Sequence, residues 1–320
     1  MKADIKYFLI IFFLIIFPKV AQGNNEIKIG LLAPFSGEYE DIGKSVFSSA
    51  RMALNKINDE NINILPRDTK GKNKETLLQV EKLYVQGVRI FIGPVFNKNL
   101  KGLEKFKDAY FLSFTNKVLN NPKNVISAGI NARSQFNAIK KYQKMNNLKE
   151  TLILIPKKNY KEEIENAIKE TKIKVKKVFY YDTEPTKLTK QIEKVTRYQI
   201  RKQNLEDEIK RVENSEENNK EKKLEILNKK DTLGKIGYDS VVIADFDESL
   251  KSVTTSLLYT DFSPKKITFI SLNQWFDESL FKETASQPIG FPSINKRNFE
   301  QFKKNYNNFY DNEPNQLSLI

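Results

Sequence analysis

The chain contains no histidine and no cysteine. These two absences exclude Ser-His-Asp and Cys-His nucleophilic centres, histidine general bases, disulfides, and zinc or copper sites built on imidazole or thiolate. Arginine is scarce too: it supplies 8 of the 54 basic residues, leaving 46 lysines. Bidentate phosphate recognition favours arginine. The net charge of +14 therefore reads as a lysine-coated, solvated surface, not a nucleic-acid interface. No Gly-rich phosphate loop is present, and no pair of carboxylates stands out as an acid/base couple. The chain reads as a non-enzyme with no cofactor and no metal.

Long apolar runs are also missing, with one exception. Lys2 and Lys6 precede the run Tyr7–Phe17 (YFLIIFFLIIF), 11 residues long. A membrane span needs about 20 residues, whereas a secretory signal core needs 7–15. Pro18 follows as a helix breaker, and Ala21-Gln22-Gly23 places small residues at a cut after Gly23. The expectation is a signal peptide over 1–23 and a soluble protein exported to the periplasm, without a lipidated cysteine.

The remaining chain, part of 320 residues in all, is long enough for roughly two domains. Short apolar runs of strand length alternate with segments of helical spacing. Residues 27–33 (IKIGLLA) read as a strand ending at Pro34-Phe35-Ser36-Gly37, and 43–58 as an amphipathic helix. Strands at 62–66, 88–92, 110–114 and 124–128 then alternate with helices at 73–86, 97–107 and 132–146, the last capped by Asn131. Gly93-Pro94 stops the 88–92 strand. The alternation restarts with strands at 151–155, 174–181, 240–245 and 267–272 and helices at 159–171 and 247–259. Two such sets imply two doubly wound parallel-sheet lobes with a hinge cleft between them. The expected division is lobe one from 24–130 plus 290–320 and lobe two from 131–289, with crossings near 128–132 and 284–292.

Residues 186–233 interrupt the rhythm. They hold no Gly and no Pro. Leu188, Ile192, Val195, Tyr198, Leu205, Ile209 and Val212 fall on one helical face, and Leu224 and Leu227 lie on a return leg. The segment reads as a charged helical insert, a long helix or hairpin projecting from lobe two.

The stretch IKIGLLAPFSGEYEDIGKSVFSSARMALNKIN resembles the opening of the type I periplasmic binding proteins, the leucine/isoleucine/valine-binding kind. The likeness continues through VQGVRIFIGPVFN and YFLSFTN and covers roughly 27–320. Within that superfamily, ILPRDTKG, VTRYQIRKQ and KDTLGKIGYDSVVIAD resemble the penicillin-binding protein activator branch of alphaproteobacteria. The family usually continues beyond the final PNQLSLI into another helix of the first lobe. Its absence implies either a fragment or a short lobe.

In open α/β sheets ligands sit beyond the carboxyl ends of the strands. That rule selects Ser36 and Gly37, Asn97, and Ser113, Thr115 and Asn116 in lobe one. In the leucine-binding family the matching loops hold an amino acid through hydroxyls and backbone groups. From lobe two it selects Tyr160, where the family often places an aromatic over the ligand. It also selects Asp245, with Asp247 beside it, and Trp275, after Asn273 and Gln274. An aspartate here either pairs with a ligand ammonium or caps the following helix. Trp275 either walls the cleft or fills the core. The resemblance implies a regulator that contacts a penicillin-binding protein, a cell-wall synthase. The alternative is a solute receptor that binds an amino-acid-like ligand and delivers it to an ABC permease.

Overall fold

A computed structural model describes residues 26–272 and 287–319. The elements run β1 (Ile27–Ala33), α1 (Glu40–Ile57), β2 (Ile62–Asp68), α2 (Asn73–Val85), β3 (Ile90–Ile92), β4 (Tyr110–Ser113), β5 (Val125–Ser127) and α3 (Ala132–Met145). They continue with β6 (Thr151–Pro156), α4 (Lys161–Thr171), β7 (Lys177–Tyr181), α5 (Pro185–Thr196), α6 (Tyr198–Glu213), α7 (Lys220–Asn228), β8 (Ser240–Ile243), α8 (Asp247–Tyr259), β9 (Thr268–Ser271), β10 (Ile289–Gly290) and α9 (Lys296–Tyr310). Two five-stranded sheets result, ordered β2-β1-β3-β4-β5 and β10-β9-β8-β6-β7. Every pairing in them is parallel. This is the two-lobed α/β architecture that the alternation predicts.

The strands are near-continuous apolar runs because parallel sheets carry helices on their faces. In the second sheet Leu152, Leu154, Val241 and Ile243 point into one core, and Ile153, Ile155, Val242 and Ala244 into another on the opposite face. In the first sheet Leu32, Phe91 and Phe111 share a core with Val80 and Leu83 of α2. Two glycines permit close approaches. A Cβ on Gly43 would sit 1.9 Å from the Pro34 carbonyl oxygen, so α1 packs tightly on the β1 loop. Gly93, at φ +104, would place one 2.2 Å from the Leu32 carbonyl oxygen. Asn131 caps α3 as expected, accepting from the Ser134 N–H at 2.9 Å. The chain returns to the first lobe at its end: the Tyr310 hydroxyl donates to the Ser48 carbonyl, and the Asn315 N–H donates to Ser45 Oγ.

Two expectations need correction. Residues 97–107 form no α-helix. They make two 3-10 turns, Asn97–Asn99 and Leu103–Lys105, separated by Gly102 at φ +94. Residues 186–233 are not one projecting unit either. Helix α5 is the crossover helix of lobe two, with Leu188, Ile192 and Val195 buried in its core. Burial of this kind contributes about 2 kcal/mol per side chain. The chain then breaks at Arg197, in the left-handed region at φ +55. Helices α6 and α7 follow with a small core of their own. They close on each other through Leu205, Val212 and Leu227, with Ile209, Leu224 and Leu233 around them.

A buried arginine anchors this hairpin. Arg201, 4% exposed, donates to the Thr196 carbonyl, Thr232 Oγ1 and the Thr260 carbonyl. It also lies 3.8 Å from Asp261 and over the Phe262 ring. Its own carbonyl accepts the Leu233 N–H at 2.9 Å, so the two legs meet at the base. Among the described residues no helix is long and apolar enough to cross a membrane.

Candidate functional site

A cleft of about 650 Å³ lies between the strand ends of the two sheets. The first lobe supplies the loops after β3 and β4, including Asn97 and Asn121. The second supplies the turn from β6 into α4, with Asn159 and Tyr160. Charge in the wall is balanced: Lys98, Lys101 and Lys117 face Glu104, Glu162 and Glu163. The Val118 N–H donates across the cleft to Glu163 Oε1 at 3.2 Å.

Asp245 organises the second lobe beneath this wall. It follows β8 and is fully buried. Its Oδ1 accepts from Lys158 Nζ at 2.7 Å, the Tyr160 hydroxyl at 2.9 Å and the Phe246 N–H at 2.9 Å. Its Oδ2 accepts from the Tyr181 and Ser249 hydroxyls, both at 2.6 Å. Burial alone would raise the carboxyl's pKa. The donors, led by Lys158, Ser249 and Tyr181, outweigh it and hold the group below the ordinary aspartate value. Tyr160 and Tyr181 move the other way. Burial, then the charge of Asp245, pushes both phenols well above their usual range, so both stay protonated as donors. Tyr160 also packs edge-on against Phe246, with centroids 5.5 Å apart.

Asp68 plays the matching part in the first lobe. It accepts from Ser36 Oγ at 2.6 Å and from the Phe35 and Lys70 N–H groups at 2.8 Å each. Burial raises its pKa, but these donors bring it below the ordinary value.

The sequence-selected residues scatter across these roles. Asn97 and Tyr160 line the cleft; Asn97 Nδ2 donates to Asn121 Oδ1 at 3.2 Å. Ser36 is committed to Asp68, and Gly37 is an exposed turn residue at φ +81 whose carbonyl accepts the Glu40 N–H. Ser113 is buried and donates to the Pro94 carbonyl at 2.7 Å. Thr115 Oγ1 accepts from the Lys117 N–H at 3.1 Å, which fixes the β4 loop. Asn116 is exposed. Asp245 does not cap α8: the cap position is Phe246, without a side-chain bond. Trp275, with Asn273 and Gln274, lies outside the described residues. Sequence reasoning missed Asp68, Lys158, Tyr181 and Ser249. The strand-end rule reaches Asp68 and Tyr181, which close β2 and β7, but their partners come from distant segments. Among the described residues no group of three or more Asp or Glu is placed to hold a metal ion.

Two parallel-sheet lobes with facing strand ends and a cleft between them define a two-lobed binding protein. The periplasmic binding protein family model matches residues 26–196, more than half of the chain, and the chain belongs to that family. Its members and structural relatives are binding or regulatory proteins. The chain is similar to a branched-chain amino acid ABC transporter periplasmic ligand-binding protein from Burkholderia xenovorans, at 10% identity and TM-score 0.58, covering 92% of this chain and 74% of that one. It is similar to the C-domain of LpoA from Haemophilus influenzae, a regulator of PBP1A, at 13% identity and TM-score 0.53, covering 87% and 78%. A third likeness is to an ABC transporter substrate-binding protein from Desulfitobacterium hafniense, at 12% identity and TM-score 0.55, covering 92% and 80%. At such identities these are likenesses of fold. A search of curated proteins finds no match.

Proposed function

We propose that the protein is a non-catalytic, exported regulator that acts by contact with a penicillin-binding protein. The observation that carries this reading is the occupation of Asp245. A carboxylate offers about four lone-pair sites, and five donors already converge on this one. The buried carboxylate at the strand ends of lobe two therefore has no capacity left for a ligand's ammonium. Ser113 and Thr115 are likewise committed to their own backbone. The fold likeness to the LpoA C-domain supports the same direction. The α6–α7 hairpin offers a charged surface outside both lobes, with Ile200 and Ile226 about half exposed on it. Export through cleavage after Gly23 belongs to this reading, as does the division into 24–130 plus 290–320 and 131–289. N-terminal sequencing of the secreted protein checks the cut; Met1 retained would refute it.

A solute receptor for an amino-acid-like molecule is the second reading, favoured by the cleft itself. Its volume of about 650 Å³ falls within the range of about 300–1,000 Å³ for small-molecule sites, and Tyr160 stands in its wall. A thermal-shift screen with the twenty amino acids, run beside a pull-down on periplasmic penicillin-binding proteins, separates the two. The regulator reading expects capture without an amino-acid shift. A saturable shift without capture overturns it, because a cleft ligand stabilises by mass action.

A further inference from the structure

The α3 and α4 helices end beside each other at the amino-terminal edge of the second sheet, away from the cleft. A depression of about 560 Å³ lies there. Six of the ten residues around it are lysines: Lys140, Lys141, Lys144, Lys149, Lys172 and Lys174. The whole chain carries 46 lysines in 320 residues, about one in seven, so this ring is enriched about fourfold over the general lysine surplus. No carboxylate lines it. The nearby Glu150 and Glu170 are paired elsewhere, with Lys176 and Arg133. The two helix ends bring roughly −0.5 of a charge each, which six ammonium groups exceed several-fold.

A second observation concerns the floor. Gln143 lines the same depression and is only 2% exposed. Its Nε2 donates to Thr151 Oγ1 at 2.7 Å and to the Lys174 carbonyl at 3.0 Å. Its Oε1 is buried with no hydrogen-bond partner. A buried acceptor left unmet is costly, so the floor presents an acceptor with no donor, beneath a rim of lysines with Asn137 and Asn147. Lysine acts on phosphate as a point charge, in contrast to the planar fork of arginine.

We propose that this lysine pocket binds a small phosphorylated polyol, its phosphates taken by the ammonium groups and one hydroxyl by Gln143. The chemistry is shared by free sugar phosphates and by the headgroup of phosphatidylglycerol. Calorimetry with fructose 1,6-bisphosphate probes the first source. Flotation with phosphatidylcholine vesicles, with and without phosphatidylglycerol, probes the second. Binding is expected on at least one arm, and the responding arm names the source. It weakens as salt rises, because the rim is exposed. The variant Lys144→Gln/Lys149→Gln/Lys174→Gln weakens it about tenfold. A control with the same charge loss elsewhere, Lys56→Gln/Lys107→Gln/Lys265→Gln, leaves it unchanged. Lys174→Glu alone gives the same direction as the pocket triple variant and guards against its misfolding. Methylenediphosphonate, which lacks the hydroxyls, binds more weakly than the sugar bisphosphate. No binding on either arm overturns the proposal. So does an equal loss in pocket and control variants, which would assign the effect to net charge.

Discussion

Among the described residues, the second sheet is covered on both faces and the first mainly on one. In lobe two the inward residues of β6 and β8 are fully buried whichever way they point. In lobe one the face carrying Phe91 and Phe111 is packed against α2. The opposite face carries Ile90, Tyr110, Leu112 and Ile126, neighbours across the ladder, and these are between 43% and 59% exposed. Helices α1 and α9 reach only part of that face, leaving a groove of about 570 Å³ beside Ile92, Leu112 and Phe114. The aspartates differ in the same sense. Asp245 is sealed among five donors, whereas Asp68 ties a loop near the surface with three. Strand faces and strand-end aspartates thus carry different weight in the two lobes.

The largest expected effect tests the sealed centre. Asp245→Ala strands Lys158, Tyr160, Tyr181 and Ser249 without their acceptor. Removing one partner of a buried charged network costs about 3–5 kcal/mol. Lys158 keeps 32% of its side chain in solvent, so the loss belongs toward the lower end. Urea unfolding of the second lobe measures it. The pH dependence has a definite sign. The folded carboxyl titrates below its unfolded value of about 3.9, so its contribution is complete above that pH. It disappears as the pH falls through the lower folded value. Wild type should lose lobe-two stability in that acid window, and Asp245→Asn should lose less of it.

Next in size is a pair of truncations. Leu154→Ala in the doubly covered sheet should cost about 3 kcal/mol, the usual result for a fully buried leucine. Leu112→Ala on the open face of the first sheet should cost under about 1 kcal/mol. Equal losses in denaturant melts would break the contrast between the lobes and mean that the open face is covered in solution. Asp68→Ala is smaller than Leu154→Ala, at about 1 kcal/mol, since its three hydrogen bonds serve a partly exposed loop. Limited proteolysis near Ser36 should report it more clearly than a melting temperature.

Most of the alternating elements were legible because apolar runs and helical spacing are local properties. Asn131 was readable as a cap for the same reason. The breaks were less legible. Gly102 divides 97–107 into short turns, and its neighbours give no other sign. The apolar face from Leu188 to Val212 looked continuous, because no Gly or Pro marks Arg197. That break is set by tertiary structure: α5 is held in the lobe-two core, while Arg201 is drawn back to Thr196, Thr232 and Thr260. The Asp245 cluster was hidden for a related reason. Lys158 and Tyr181 lie 87 and 64 residues before it in the chain, and only the β8-β6-β7 order brings those strand ends together.

The smallest expected effect concerns the hairpin, and its design follows from the anchor. Cutting at the start of α6 would remove Arg201 and leave Thr260 and Asp261 without it, so the body would suffer. Removing 204–230 instead, with a short Gly/Ser link, keeps Arg201 and Leu233, whose backbones already touch at 2.9 Å. The hydrophobic cluster lost is the hairpin's own, and closing so short a gap costs little. Thermal and urea unfolding of the two lobes should therefore shift by no more than about 0.5 kcal/mol. Under the regulator reading, capture by penicillin-binding proteins should fall while the lobes stay intact. A large stability loss would show that the hairpin is part of the lobe-two body after all. Intact stability with unchanged capture would remove it from the contact surface and move attention to the open face of the first sheet.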